Sequence, residues 1–264
     1  MTISYYIYCL CEPPAPEIRR TVGIQDSEIH LIERSGIVVI AGDAAKCPEP
    51  SAENVVAHNR VVDSVLRVTT PIPCRFGTLL SPADLSRYID TNKPSVTKLL
   101  ERLRGCVEMS LRLSHNDGAR REDAAGDACS QVEQEIQGRS ARMMSTRGPG
   151  AQFLEQKLRR VVYQEIAERQ VRATLDWVHS RFGELPKDRV FRLRPETNPF
   201  AEIAHLIDRA DLDHYNELVR IATTGCGDLR LSTSGPWAPY SFTVISDGRR
   251  GKSVEPSVNL DGAY

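Results

Sequence analysis

The sequence predicts an α+β protein built as two sheet-and-helix units, and three observations carry that prediction. The chain has 264 residues, and at roughly 100 to 150 residues per domain it has room for two. Apolar residues recur with strand and helix periods in the order β, ββ, α, β, α, β, and after a long helical stretch in the order β, β, α, β. Between these sets lies a run rich in Gly, Ala, Arg, Asp and Ser without a sustained apolar period. The expected division is a first α+β domain at 1–115, a mobile linker at 116–148, a long helix with a second α+β domain at 149–246, and a flexible tail at 247–264.

Composition narrows the function classes. Hydrophobic residues make up 41% and charged residues 26%, with a formal net charge of −1, so no global field steers the chain to nucleic acid or an anionic membrane. No apolar stretch approaches the roughly 18 residues needed to span a bilayer, and the first residues show neither a basic segment nor a cleavage site. A cytoplasmic location is the expectation. The seven cysteines, an odd number spread along the chain, suit reduced thiols better than a disulfide framework. Cys9 and Cys11 share a strand face, but no second Cys or His pair follows at zinc spacing, so no metal and no cofactor are expected.

In the first unit, residues 3–11 are apolar or aromatic at both parities and predict a strand covered on both faces. Residues 28–34 and 36–41 read as a hairpin around Ser35-Gly36. Val55, Val62, Val65 and Leu66 recur along one face of a helix from about Ala52 to Leu66. In Pro71-Ile-Pro-Cys-Arg-Phe-Gly-Thr the prolines confine any strand to an edge or to a short run beginning near Cys74. Arg75 there is a cation among apolar neighbours, reaching solvent or a carboxylate such as Glu108 or Asp63, and Gly77 serves a turn or close approach. Ser81-Pro82-Ala-Asp84 opens a helix that Asn92 and Pro94 should interrupt and that Gly105 stops. Residues 106–113 alternate and are expected to close the first domain as a half-buried strand, giving a split β-α-β sheet with helices on one face.

The second unit starts with a helix from Pro149 to about Phe182, near 50 Å long at about 1.5 Å per residue and more than a small domain needs. Part of it is expected to bridge the units or meet a partner. Strands follow at 189–194 and 200–207, a helix after Asp211, and a strand at 228–232. Then comes the densest stretch of the chain, Ser234-Gly-Pro-Trp-Ala-Pro-Tyr-Ser-Phe242. Pro236 and Pro239 exclude a central strand and leave a stiff, extended edge or crossing segment. Trp237, Tyr240 and Phe242 read as a plug closing the last domain's core, with a partner-docking surface as the alternative.

Gly235-Pro-Trp-Ala-Pro-Tyr-Ser-Phe242 is similar to the GPWPPYSF signature of the gas vesicle protein L/F family, with Ala238 where a proline is usual. Pro71 to Leu79 resembles that family's P-x-R-F-G-T segment, and Gly150-Ala-Gln-Phe-Leu-Glu-Gln-Lys157 resembles its G-x-x-[YF]-L-x-x-[KR] helix start. The resemblance spans about residues 3–245. It implies two domains of α/β-sandwich type, the C-terminal one ferredoxin-like and the N-terminal one a variant, in an accessory protein that binds the hydrophobic gas vesicle shell protein, limits its aggregation and acts with other accessory proteins. The expected contacts are the sheet edge at Arg75 and Phe76 and the long helix at Phe153, Leu154 and Lys157. Gly77, Gly235, Pro236, Trp237, Pro239, Tyr240 and Phe242 are expected to be structural.

No catalytic constellation emerges. Gly225-Cys-Gly227 follows a helix and precedes a strand, the reverse of a phosphate loop, and lacks its lysine. His58, His179, His205 and His214 have no Cys or acid at a spacing that fixes geometry. The expectation is a non-enzyme without nucleic-acid, membrane or small-molecule partners. The alternatives are a small-molecule-sensing regulatory module of paired ferredoxin-like domains, which needs a polar concave pocket, and a cysteine enzyme, which needs an activated thiol at Cys9, Cys74 or Cys226.

Overall fold

The computed structural model describes residues 4–13, 21–115, 134–135, 149–193, 201–224 and 229–243. The first sheet comprises β1 (Ser4–Cys11), β2 (Ile29–Arg34), β3 (Ile37–Ala44), β4 (Ile72–Pro73) and β5 (Leu79–Leu80). Its order is β2-β3-β1-β4, with β5 also paired to β1, and every pairing is antiparallel. Ser35 and Gly36 join β2 to β3 with φ of +56° and +79°, a two-residue turn whose twist matches the flanking strands.

The helices α1 (Ala52–Leu66) and α2 (Pro82–Leu103) cover opposite faces of this sheet. Val61, Val62 and Val65 of α1 pack with Tyr6, Tyr8, Val38 and Ile40, whereas Leu85, Ile89, Leu99 and Leu100 of α2 pack with Ile7, Leu10, Ile37 and Val39. The expected arrangement with helices on one face is therefore corrected: β1 and β3 are apolar at both parities, so each face requires its own cover. A register shift between Ile7 and Cys9 marks a bulge, and Tyr6, Tyr8, Cys9 and Cys11 all join the cluster on the α1 side.

One further expectation is corrected here. Helix α2 runs unbroken through Pro94. Its buried residues Leu85 and Ile89 before the proline and Val96, Leu99, Leu100 and Leu103 after it hold both halves to one core, which offsets a proline cost of about 3 kcal/mol. The strand at Pro71–Leu80 is confined to the sheet edge as expected, but as two short strands flanking a bend and not a run from Cys74, because Gly77 turns the chain at φ +88°.

The second sheet contains β6 (Cys106–His115), β7 (Asp188–Leu193), β8 (Ala201–Asp208) and β9 (Leu229–Trp237) in the order β7-β8-β6-β9, again antiparallel. Strand β6 does not close the first sheet. It pairs with β8 and β9, so the first unit ends at the Arg104-Gly105 turn. Alternation alone sets which face of β6 is apolar, not which sheet it joins. With α3 (Pro149–Phe182) and α4 (Leu212–Thr224) the chain from Cys106 runs β-α-β-β-α-β. Val178, Phe182, Tyr215 and Val219 cover one face of this sheet, while Ala204 and Leu206 on the other join the α2 core. The expected linker, apart from residues 134–135, and the tail at 247–264 lie outside the described residues.

Side chains and main chain lock the two units together. Thr70 Oγ1 donates to the Cys106 carbonyl at 2.9 Å, and the Arg209 guanidinium donates to the Leu66 carbonyl at 2.5 Å. The Arg209 N–H donates to the Gly105 carbonyl at 2.8 Å.

Candidate functional site

The R-F-G-T bend is organised by β1. The Cys74 N–H donates to the Tyr8 carbonyl and the Ile7 N–H to the Thr78 carbonyl, each at 2.9 Å, so Arg75, Phe76 and Gly77 bulge from the sheet edge between two anchors. Inside the bulge the Thr78 N–H and hydroxyl both donate to the Arg75 carbonyl, at 3.2 and 2.7 Å. The Gly77 N–H donates to Tyr6 Oη at 3.2 Å, and Tyr6 Oη is bonded in turn to His58 Nδ1 of α1 at 2.9 Å. Phe76 turns inward, with its ring centroid 5.9 Å from both Tyr6 and His58. Arg75 turns outward, and its side chain meets neither Glu108 nor Asp63 among the described residues.

Burial sets the electrostatics of this cluster. It pushes His58 down to about 4, an effect that the main chain at Cys74 partly offsets, and it raises Tyr6 to about 12. The imidazole is neutral across the physiological range. Cys9 and Cys74 are also raised by burial, the opposite of what an attacking thiolate needs.

The signature runs along the outer strand β9 and then folds over the sheet. Glu108 pairs with Trp237 and Ser110 with Ser234, so β9 carries one extra residue at Gly235-Pro236, whose peptide bond is cis. Gly235 has φ +127°, and a Cβ there would fall 2.8 Å from the Glu108 carbonyl oxygen, which leaves glycine as the residue that fits. Ala238 and Phe242 are buried, and Tyr240-Ser-Phe242 forms a 3₁₀ turn. The buried Glu108 carboxylate clamps that turn, accepting from the Ser241 N–H and hydroxyl, both at 2.8 Å. Desolvation raises the Glu108 pKa, and the two Ser241 bonds pull it back.

The two motifs meet on α1. Phe76 packs on His58, and Tyr240 Oη donates to Oδ1 of the next residue, Asn59, at 3.2 Å. Three large apolar side chains of these segments are exposed: Trp237 is 44% exposed, Tyr240 37%, and Val56, one turn before Asn59, 56%. The expected plug is therefore split. Phe242 fills the core with Ile7, Leu10 and Ile89, but Trp237 lies outside it, its indole N–H donating to Ser234 Oγ at 3.3 Å. A bulge at Gly235-Pro236 re-aims the end of β9, and periodicity carries no sign of that.

Of the remaining expected contact residues, Lys157 is exposed on α3, while the side chains of Phe153 and Leu154 lie outside the described residues. Sequence reasoning missed the buried partners His58 and Tyr6, although His58 falls on the apolar α1 face between Val55 and Val62 at helical spacing. It also missed their counterpart in the second sheet, where His205 Nδ1 and Tyr215 Oη are bonded at 3.0 Å beside Phe182. Among the described residues no group of three or more His, Cys, Asp or Glu is placed to hold a metal ion, and no helix is long and apolar enough to cross a membrane. A depression of 220 Å³ lined by Gln25, Lys46, Glu49 and Asn54 is smaller than the roughly 300 Å³ at which ligand pockets begin.

Comparison with known proteins gives a consistent result. The family model described as gas vesicle synthesis protein GvpL/GvpF matches residues 4–244. The chain is 28% identical to gas vesicle protein L of Streptomyces sp. (strain CB03234), over 92% of this chain and 93% of that protein. It is 25% identical to gas vesicle protein L1 of Halobacterium salinarum, over 90% and 89%. Crystal structures of gas vesicle protein GvpF superpose with TM-scores of 0.70 for Anabaena sp. PCC7120 and 0.72 for Microcystis aeruginosa, at 16% and 18% identity, each covering 92% of this chain and 99% of the other.

Proposed function

The chain belongs to the gas vesicle synthesis protein GvpL/GvpF family, and from that premise we propose that it takes part in gas vesicle formation by binding the hydrophobic shell subunit and limiting its aggregation while the vesicle nucleates and grows. One observation carries this reading: the R-F-G-T bend and the tryptophan signature, more than 150 residues apart, converge on adjacent residues of α1, and Trp237 and Tyr240 of the signature and Val56 of α1 are exposed. A half-exposed tryptophan held by a rigid main chain is the kind of anchor that dominates protein interfaces. The neighbouring bend at Pro71–Gly77 is poorly suited to strand addition, since prolines and a left-handed glycine break its ladder. Contact there runs through side chains, with Arg75 at the rim and the exposed face of α3 around Lys157 as a second surface.

The test uses the full-length chain, because its core is continuous across both sheets. Binding to purified shell subunit is compared for wild type, Trp237→Ala and Arg75→Glu, with melting curves as a control. Trp237→Ala is expected to lose about 2 kcal/mol of binding, roughly thirtyfold, with little change in melting temperature, and Arg75→Glu to lose less. Unchanged shell binding by a folded Trp237→Ala protein would reject the α1 surface as the contact.

A further inference from the structure

Away from the α1 surface, three chemically active groups converge where the two units join. Cys106 opens β6 and Asp208 ends β8, and the two residues are register partners. Lys187 precedes β7 and is fixed by its own N–H, which donates to the Leu206 carbonyl at 2.8 Å. Its ammonium donates to Asp208 Oδ1 at 2.6 Å and lies 3.6 Å from Cys106 Sγ, while that sulfur lies 3.7 Å from Asp208 Oδ1. Cys106 is buried, whereas the Lys187 side chain is 47% exposed and opens a path to solvent. The Asp208 carboxylate thus holds a primary amine against a buried thiol, an arrangement that neither a structural cysteine nor a surface ion pair requires.

We propose that Cys106 and Lys187 form a reversible covalent cross-link through one bridging oxygen, Nζ–O–Sγ, with dioxygen as the oxidant. Lys187 first releases its ammonium proton to solvent. One N–H, the S–H and the O=O bond then break, N–O and O–S bonds form, and the second oxygen leaves as water with the two hydrogens. Sulfur and nitrogen each give up two electrons, which matches the four that dioxygen accepts. The product ties the first strand of the second sheet to the start of its outer strand β7, next to the Arg104-Gly105 turn. Four thiol equivalents, as two dithiothreitol molecules, reduce the bridge: the N–O and O–S bonds break, nitrogen and sulfur each regain two electrons, the oxygen leaves as water, two disulfides form, and thiol and amine return, placing Cys106 on the reversible part of the sulfur oxidation ladder.

The experiment is peptide mass spectrometry on the full chain after aerobic incubation, with an anaerobic sample and a dithiothreitol-treated sample alongside. The expected result is a joined pair of peptides, one containing Cys106 and one Lys187, heavier than their sum by one oxygen and lighter by two hydrogens. It is lost on reduction, without oxygen, and in Lys187→Arg, which keeps a cation on Asp208. Three outcomes would overturn the proposal: oxidised Cys106 with unmodified Lys187, a joined pair lacking the oxygen, or an aerobic sample with both residues unchanged.

Discussion

Each half of the molecule pins a helix to its sheet with a buried histidine–tyrosine pair, but the roles are exchanged. In the first half tyrosine is on the strand and histidine on the helix, as Tyr6 and His58; in the second, His205 is on β8 and Tyr215 on α4. Both pairs stack against a phenylalanine, Phe76 in one and Phe182 in the other. The difference lies in what else the hydroxyl holds. Tyr215 Oη serves His205 alone among the described partners, whereas Tyr6 Oη also accepts from Gly77 and so carries the R-F-G-T bend. The second pair is a packing device. The first also shapes the surface beside it.

The largest expected effect breaks both pairs together. Burial lowers His58 to about 4 and His205 to about 3, so neither binds a proton in the folded chain until well below the pH at which the unfolded chain does. Stability is therefore full above about pH 6.5 and is lost as pH falls, by about 1.4 kcal/mol per pH unit and per histidine. Between pH 7 and 5 the two contribute a loss of about 4 kcal/mol. Between pH 4 and 3 His205 continues to contribute and His58 no longer does. Urea titrations at several pH values, compared with those of His58→Gln and His205→Gln, isolate each slope; the raised pKa of Glu108 acts in the opposite sense and cancels in that comparison.

Removing single hydroxyls sharpens the contrast. Tyr6→Phe removes the partner of both His58 Nδ1 and the Gly77 N–H and should cost about 2–4 kcal/mol, while Tyr215→Phe strips one partner and should cost about 1–2 kcal/mol. Equal costs in denaturant melts would mean that the bend draws no support from Tyr6. Tyr6→Phe should also weaken shell binding, and Tyr215→Phe should not.

An equally small effect is expected at the clamp that holds the signature turn to β6. Ser241→Ala removes one of two bonds to the Glu108 carboxylate and keeps the main-chain one, for a loss of about 1–2 kcal/mol because the acceptor is charged and buried. A melting temperature equal to wild type would show that the main-chain N–H suffices.

Much of this architecture was legible from residue patterns. The Ser35-Gly36 hairpin, both ends of α3, strands β7 and β8, and the edge position of the proline-bearing β9 follow from turn chemistry and periodicity, which act over a few residues. What failed is set by distant partners. Pairing of β6 depends on β8 and β9, the continuity of α2 through Pro94 depends on a core shared by both sheets, and the exposure of Trp237 depends on a bulge opposite Glu108. The candidate surface was half visible: both motifs stood out by their residue types, but their meeting on His58 and Asn59 is a property of the fold. His205, between Ala204 and Leu206 on β8, carried no local sign of its tyrosine.

Phe242, among the last residues described, fills a core whose other members begin at Ile7. During synthesis the amino-terminal half leaves the ribosome first, yet this part of its interior stays open until the final stretch has been translated. A message truncated just before Gly235 would release a polypeptide with an unfilled hydrophobic seam, itself prone to the clumping that the finished protein is proposed to restrain.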